Sequence, residues 1–285
     1  MPFTTSATAA RAAVSAAAGF GIGCTDPVIL ADGANVIVHL TPSPVAAKVA
    51  ASTTAVRADP AAGLQRELDV AVFLTGKGAP VMPPSAEVPA TAHRAGGHVM
   101  SFWTYLPRTS SSPPDAATLG SMLRDLHVVL RPYPGAAPWL APLGDIEAFL
   151  ARPQTGLSDA DAEALAEAFR RLTGQLDPAL DRGQVLHGDA GAGNLMATGA
   201  GWIWHDFEDV CSGPTAWDLA PSVASRFIDG SRVLAAYGDP VDARQLDICR
   251  QLRLLNLTVW YNVYAERLPE CRERAAELVA SWRQR

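Results

Sequence analysis

One break in texture limits the fold of this chain more than any other feature. The Ser- and Pro-rich stretch 107–114 reads as a loop. Ahead of it lie β-like runs at residues 28–30, 35–40 and 45–49, with turn chemistry at Asp32-Gly33 and at 41–44. A helix over 5–18 opens the chain. Another over 61–75 carries an apolar stripe of Leu64, Leu68, Val72 and Leu74. A hairpin follows, with residues 88–93 and 98–105 around Gly96-Gly97. Beyond the break the periodicity predicts helices over 116–130, 144–150, 159–172, 215–226, 231–237, 242–266 and 270–282. Ser158 and Asp161 give the helix at 159 a capping-box pattern. Two short β runs, 184–186 and 202–204, sit among these helices. The expected architecture is α+β: a small β-rich lobe of residues 1–106 and a larger, mainly helical lobe of residues 107–285. A cleft between two such lobes is a usual place for a ligand.

With 48% hydrophobic and 18% charged residues, the chain can bury a core, which excludes a disordered chain. No apolar run reaches the ~18–20 residues that span a bilayer, so no membrane partner is expected. The Ala-rich start lacks a basic leader, and Arg11 and Ser15 interrupt it, so a cytoplasmic protein is expected. Cys24, Cys211, Cys249 and Cys271 show no zinc spacing and read as ordinary thiols. The net charge of −6 disfavours a nucleic-acid partner. Residues 1–106 carry 6 basic and 6 acidic side chains, whereas residues 107–285 carry 17 basic and 23 acidic ones. That excess is either ordinary solvated surface or a field that attracts a cationic small molecule.

The densest chemistry lies in His187-Gly-Asp189 and Asn194, followed by His205-Asp206-Phe207-Glu208-Asp209. Asp189 and Asp206 each follow a short apolar β run, and Asn194 starts the path that joins them. Carboxylate and amide oxygens are hard ligands that suit Mg²⁺. A second carboxylate beside a metal can take a proton from an attacking hydroxyl. His187 is expected to steady its loop, His205 to point away from Asp206, and His127 to belong to a helix core. Lys48 stands alone among Val45, Ala46, Ala47, Val49 and Ala50, so a charge there looks placed. Glu67 lies beside the apolar stripe of the next helix.

The pattern His187-Gly-Asp189, Asn194, Asp206, Gly213 and Trp217-Asp218-Leu219-Ala220 resembles the aminoglycoside phosphotransferase family. That is the small-molecule branch of the two-lobed protein-kinase-like fold. The resemblance implies a kinase that transfers the γ-phosphoryl group of ATP or GTP to a hydroxyl of an aminoglycoside, amino-sugar or similar metabolite. It implies Asp189 as catalytic base or orienting group, and Asn194 and Asp206 as Mg²⁺ ligands. Lys48 would contact nucleotide phosphates with Glu67 holding it, and the segment Trp103, Tyr105 and Leu106 would contact the base. Asp218 would brace the catalytic loop. Glu208 or Asp209 would face the acceptor or the metal, and Glu266, Trp260, Tyr261 and Tyr264 would lie near the acceptor or in the core. The chain departs from the protein-kinase pattern at residues 31–35, a turn with one glycine, and at Asp206-Phe207-Glu208, where DFG would stand. Two other readings remain at this point. One is a nucleotide-binding pseudokinase without transfer activity. The other is a metallohydrolase built on His187, Asp189, His205 and Asp206.

Overall fold

The computed structural model describes residues 4–153, 156–176 and 183–283. The first elements are α1 (Ser6–Ala18), β1 (Cys24–Asp32), β2 (Asn35–Pro42), β3 (Val45–Ala50), α2 (Pro60–Gly76), β4 (His93–Ala95) and β5 (His98–Thr104). Then come α3 (Ala116–Leu130), α4 (Pro142–Ala151), α5 (Asp159–Thr173), β6 (Gln184–Leu186), β7 (Leu195–Thr198), β8 (Gly201–Trp204) and β9 (Cys211–Gly213). The chain closes with α6 (Ala216–Ala224), α7 (Gly230–Tyr237), α8 (Ala243–Arg267) and α9 (Arg272–Ala280). They fall into two compact units.

The first unit takes in residues up to 113, with 133–135 and 193–209. Its antiparallel sheet has the order β1-β2-β3-β5-β4. Side chains alternate across the sheet. Val36, Val38 and Leu40 of β2, with Val45, Ala47 and Val49 of β3, pack against Ala9, Ala13 and Ala17 of α1. The alanines let that helix lie close to the strands. The other face takes α2: Leu64 packs with Ala50 and Val99, and Leu68 and Ala71 pack with Trp103. Lys48, next to Val49, therefore lies on the α2 side. Asp59 caps α2 by accepting from Ala61 N, and Pro60 supplies its first turn.

Two local expectations need correction. Val72 is 50% exposed and leaves the apolar stripe, which runs through Leu64, Leu68, Ala71 and Leu74. In the hairpin, only His93–Ala95 pairs with β5. Pro89 has no N–H to give, and its carbonyl accepts Thr91 N in a local turn, so residues 88–92 form no ladder. The β7–β8 hairpin groups with this first unit. Trp204 N donates to Pro80 O, Met82 N to Trp204 O, and Thr109 N to Ala197 O.

The second unit comprises residues 114–132, 136–192 and 210 onward. Asp115, Ser158, Asp229 and Asp242 cap α3, α5, α7 and α8 through backbone N–H groups. Ser158 accepts Asp161 N as the capping pattern requires. The Asp161 carboxylate instead accepts the Ser158 hydroxyl and the Arg283 guanidinium. Helices α3 and α7 touch at Gly120, where a Cβ would come 2.3 Å from Val233 O. Helix α8 buries Ile248, Cys249, Leu252, Leu255 and Val259. Strand β9, three residues long and unforeseen from sequence, pairs antiparallel with β6. The strands before Asp189 and Asp206 are therefore not neighbours: β6 pairs with β9, and β8 with β7. None of the four cysteines is in a disulfide. No helix among the described residues is long and apolar enough to cross a membrane.

Candidate active site

Lys48 is the centre of the first unit's chemistry. Its Nζ donates to Asp206 Oδ1 at 2.6 Å and to Glu67 Oε2 at 2.7 Å, and lies 3.1 Å from Glu208 Oε2. The strand side chain reaches Glu67 because β3 turns it toward α2, where Glu67 lies between the buried Leu64 and Leu68. Burial alone would lower Lys48, but Asp206, Glu67 and Glu208 raise it well above the usual lysine range. Burial raises the Glu67 carboxyl to about 8, against the pull of Lys48. Burial also acts to raise Glu208, yet Lys48 and Arg57 hold it below the usual glutamate value.

Asp206 is the open member of this group. Its side chain is 43% exposed, against 5% for Lys48 and 2% for Glu67, so it presents the most open surface of the three. Its backbone has φ 65°, the left-handed region, which turns the chain sharply out of β8. A non-glycine residue held there is strained, and such strain concentrates at functional positions. The turn also ends the strand alternation that would have set His205 and Asp206 on opposite faces. Asn194 stands across the hairpin: its carbonyl accepts His205 N at 3.0 Å, next to the Leu195–Trp204 pair. Carboxylate oxygens of Glu67, Asp206 and Glu208 lie within 4.8 Å of one another.

In the second unit, the loop after β6 is held by one buried carboxylate. Asp218 accepts His187 N at 2.8 Å, Gly188 N at 2.9 Å and His127 Nε2 at 3.0 Å. Burial acts to raise Asp218, but these bonds keep it below the usual aspartate value. Gly188, at φ 87°, makes the bend that glycine tolerates. His187 is fully buried, and its Nδ1 accepts Asp189 N at 3.3 Å, a steadying task. His127 is a core residue bonded to Tyr237 Oη at 2.9 Å as well as to Asp218. Asp189 pairs with Arg253 of α8. Arg253 also donates to Gly188 O at 3.1 Å and lies over the Trp217 ring, whose Nε1 donates to the same carbonyl at 2.8 Å.

Sequence and structure together decide the family. A family model described as APH, phosphotransferase enzyme family, matches residues 32–246. The chain belongs to this family. Among solved structures it is similar to an amicoumacin kinase in complex with AMP-PNP, Ca2+ and Ami, at 15% identity and TM-score 0.68 over 95% of this chain and 92% of that one. It is similar to a microcompartment-associated aminopropanol kinase, at 17% identity and TM-score 0.68 over 95% of each chain. It is also similar to a choline kinase from Streptococcus pneumoniae, at 15% identity and TM-score 0.61 over 95% of this chain and 99% of that one. No curated protein shows significant similarity to the chain. At these identities the structures establish the fold, the kinase-like α+β architecture that the resemblance implied.

Set against this phosphotransferase fold, Lys48, Glu67 and Asp206 come together in the first unit, and Asn194 stands on the same hairpin as Asp206. Asp189 belongs to the second unit. In the expected base-contact segment, Trp103 is buried with its Nε1 donating to Ser101 Oγ, and Tyr105 stacks on His39 with ring centroids 3.5 Å apart. Thr104 N donates to Pro83 O and Tyr105 N to Pro44 O, so those two N–H groups serve the sheet. Leu106 follows directly. Glu266 pairs with Arg152, and Trp260 is buried beside Tyr264. Three residues of these clusters escaped the sequence reading: Asn35, Arg57 and Arg253. The run Glu208-Asp209 shows two acids side by side, and nothing local in it points to Arg57, 151 residues away, as their partner.

Proposed function

We propose that this phosphotransferase-family chain moves the γ-phosphoryl group of a nucleoside triphosphate onto a hydroxyl of an amine-bearing small molecule. The observation that carries the reading is the buried Lys48 ammonium held by Glu67 at 2.7 Å and Asp206 at 2.6 Å. A lysine fixed in that way can meet anionic phosphate oxygens without paying to order a flexible side chain. Phosphoryl transfer needs this kind of positioning and charge neutralisation more than covalent help from the protein.

In this reading Lys48 binds phosphate oxygens, and Glu67 keeps its Nζ in place. Asn194 and Asp206 would hold Mg²⁺; an amide and an exposed carboxylate on one hairpin are hard oxygen donors that fit it. Bound there, the ion would supply charge neutralisation at the phosphates. Asp189 accepts or orients the proton of the attacking hydroxyl, on a loop fixed by Asp218. Contact with the base falls to the Trp103–Leu106 segment, above all to Leu106 and to backbone carbonyls, since Thr104 N and Tyr105 N serve Pro83 and Pro44. The acidic excess of residues 107–285 supports a cationic acceptor, and choline and aminopropanol, in the names of two similar structures, are amino alcohols. A cytoplasmic setting, where nucleoside triphosphate is supplied, belongs to the same proposal.

The test is transfer from ATP or GTP with Mg²⁺ to pools of aminoglycosides, amino-sugars and amino alcohols, read by mass as one added phosphoryl group. Wild type is expected to form a product, and Asp189→Asn to lose it by about 10³-fold while still binding nucleotide. Equal turnover in both proteins removes Asp189 from the mechanism. Nucleotide binding without product from any pool favours the pseudokinase reading.

A further inference from the structure

Glu208 stands where it could have met a metal or an acceptor, and the structure gives both of its oxygens other work. The side chain is 5% exposed. Oε1 accepts Arg57 Nη1 at 2.7 Å. Oε2 accepts Asn35 Nδ2 at 2.5 Å and lies 3.1 Å from Lys48 Nζ. Arg57 spans the two neighbouring acids, giving its other terminal nitrogen to Asp209. Two cations and one amide thus converge on a single buried carboxylate.

Asn35 extends the network to the β1–β2 turn, the place where the protein-kinase pattern would carry a glycine-rich loop. It is the first residue of β2 and is itself buried. Its Oδ1 accepts Thr53 Oγ1 at 3.4 Å, and its carbonyl accepts Gly33 N at 3.1 Å. Ser52 Oγ donates to Gly33 O at 3.0 Å, and Thr53 N to Ala34 O at 3.2 Å. The turn is therefore tied on one side to the 3-10 turn Ser52–Ala55 and on the other, through Asn35, to Glu208.

We infer that Glu208 is a positioning residue for phosphoryl transfer: one buried carboxylate that holds both Lys48 and, through Asn35, the Asp32–Asn35 turn, with Arg57 clamping it. The inference rests on the kinase reading above and deepens it. A glycine-rich loop reaches phosphates through backbone freedom. Here the turn has one glycine, and its placement comes from a side-chain latch. The same carboxylate fixes the lysine, so phosphate-binding lysine and phosphate-facing turn keep a constant spacing.

Glu208→Gln, Glu208→Asp and Asn35→Ala test the inference with two readouts. The first is amide hydrogen exchange in the ligand-free protein. Glu208→Gln and Asn35→Ala are expected to speed exchange at residues 32–35 and 52–55 by about tenfold, the worth of one hydrogen bond to a charged group. The ladder of β2 with β3 should keep its protection. The second is the split of steady-state constants. Glu208→Gln should raise nucleotide KM and lower kcat, each by about tenfold, with acceptor KM unchanged, and Glu208→Asp should recover part of both. Asn35→Ala, which leaves Lys48 its contact with Glu208, should move nucleotide KM more than kcat. Unchanged exchange in the turn in Asn35→Ala overturns the latch even if Glu208→Gln fails to fold. A change in acceptor KM alone overturns it in favour of an acceptor-facing Glu208. If wild type transfers no phosphoryl group, the kinase reading falls, while the exchange data still decide whether the latch exists.

Discussion

Arg253 fixes two groups of the loop after β6 at once, the Asp189 carboxylate and the Gly188 carbonyl, while its guanidinium lies over Trp217. A planar fork that both pairs and stacks cannot be replaced by a point charge. Arg253→Met is therefore expected to lower kcat by about 10–100-fold with nucleotide affinity unchanged, and Arg253→Lys to recover only part of the loss. Steady-state kinetics beside a nucleotide titration check this, and a loss of nucleotide affinity instead would mean that Arg253 serves the nucleotide. Residues at this scale were unevenly legible. Lys48 announced itself as a single charge in a small apolar run, and Asp218 through its place in a motif. Arg253 lies 64 residues from Asp189 and beyond the end of the family match at 246. Arg57 and Asn35 lie 151 and 173 residues from Glu208. No local pattern marks a hydrogen bond that closes over such a distance.

Elements were read best where a cap or a proline fixed an end. Asp59-Pro60, Asp115, Ser158 and Asp242 each open a helix where local chemistry says it should start. Strand pairing was harder, because it depends on partners rather than on neighbours. The run 88–92 has strand-like composition but no ladder, and β9 has a ladder but only three residues. The capping motif of α5 shows the same limit, since Asp161 looks to Arg283 near the far end of the chain. That pair makes a pH-dependent contribution. Hydrogen bonds from Arg283 and Ser158 lower the Asp161 carboxyl to about 2. Because the folded-state value is depressed, the contribution is present above the unfolded value near ~4 and is lost as pH falls toward ~2. Arg283→Gln should lower stability modestly above pH ~4 and flatten the loss between pH ~4 and ~2, since the Arg283 partner is itself 61% exposed and screened by solvent. Urea unfolding across that range checks it, and parallel curves for the two proteins would exclude the pair as a source of acid sensitivity.

At the scale of the whole molecule, the α+β texture was legible from one break in periodicity, and the kinase-like fold from the family resemblance carried by His187-Gly-Asp189, Asn194, Asp206 and Trp217-Asp218. What the sequence hid was the grouping of residues 193–209 with the sheet-bearing unit, a consequence of backbone bonds from Trp204 to Pro80 and Met82. That grouping puts Asn194, Asp206 and Glu208 in the same unit as Lys48 and Glu67. The central claim is that this cluster receives nucleotide phosphates. The chain has only two lysines, Lys48 and Lys77, and Lys77 is exposed, which gives the claim an internal reference. The most direct measurement uses an acyl-phosphate derivative of ATP, which hands its acyl group to an amine lying beside the bound phosphates. The account predicts acylation at Lys48 in preference to Lys77, suppressed by excess ATP with Mg²⁺ and weakened in Asp206→Asn. Labelling that favours Lys77, or that excess nucleotide leaves unchanged, would contradict it.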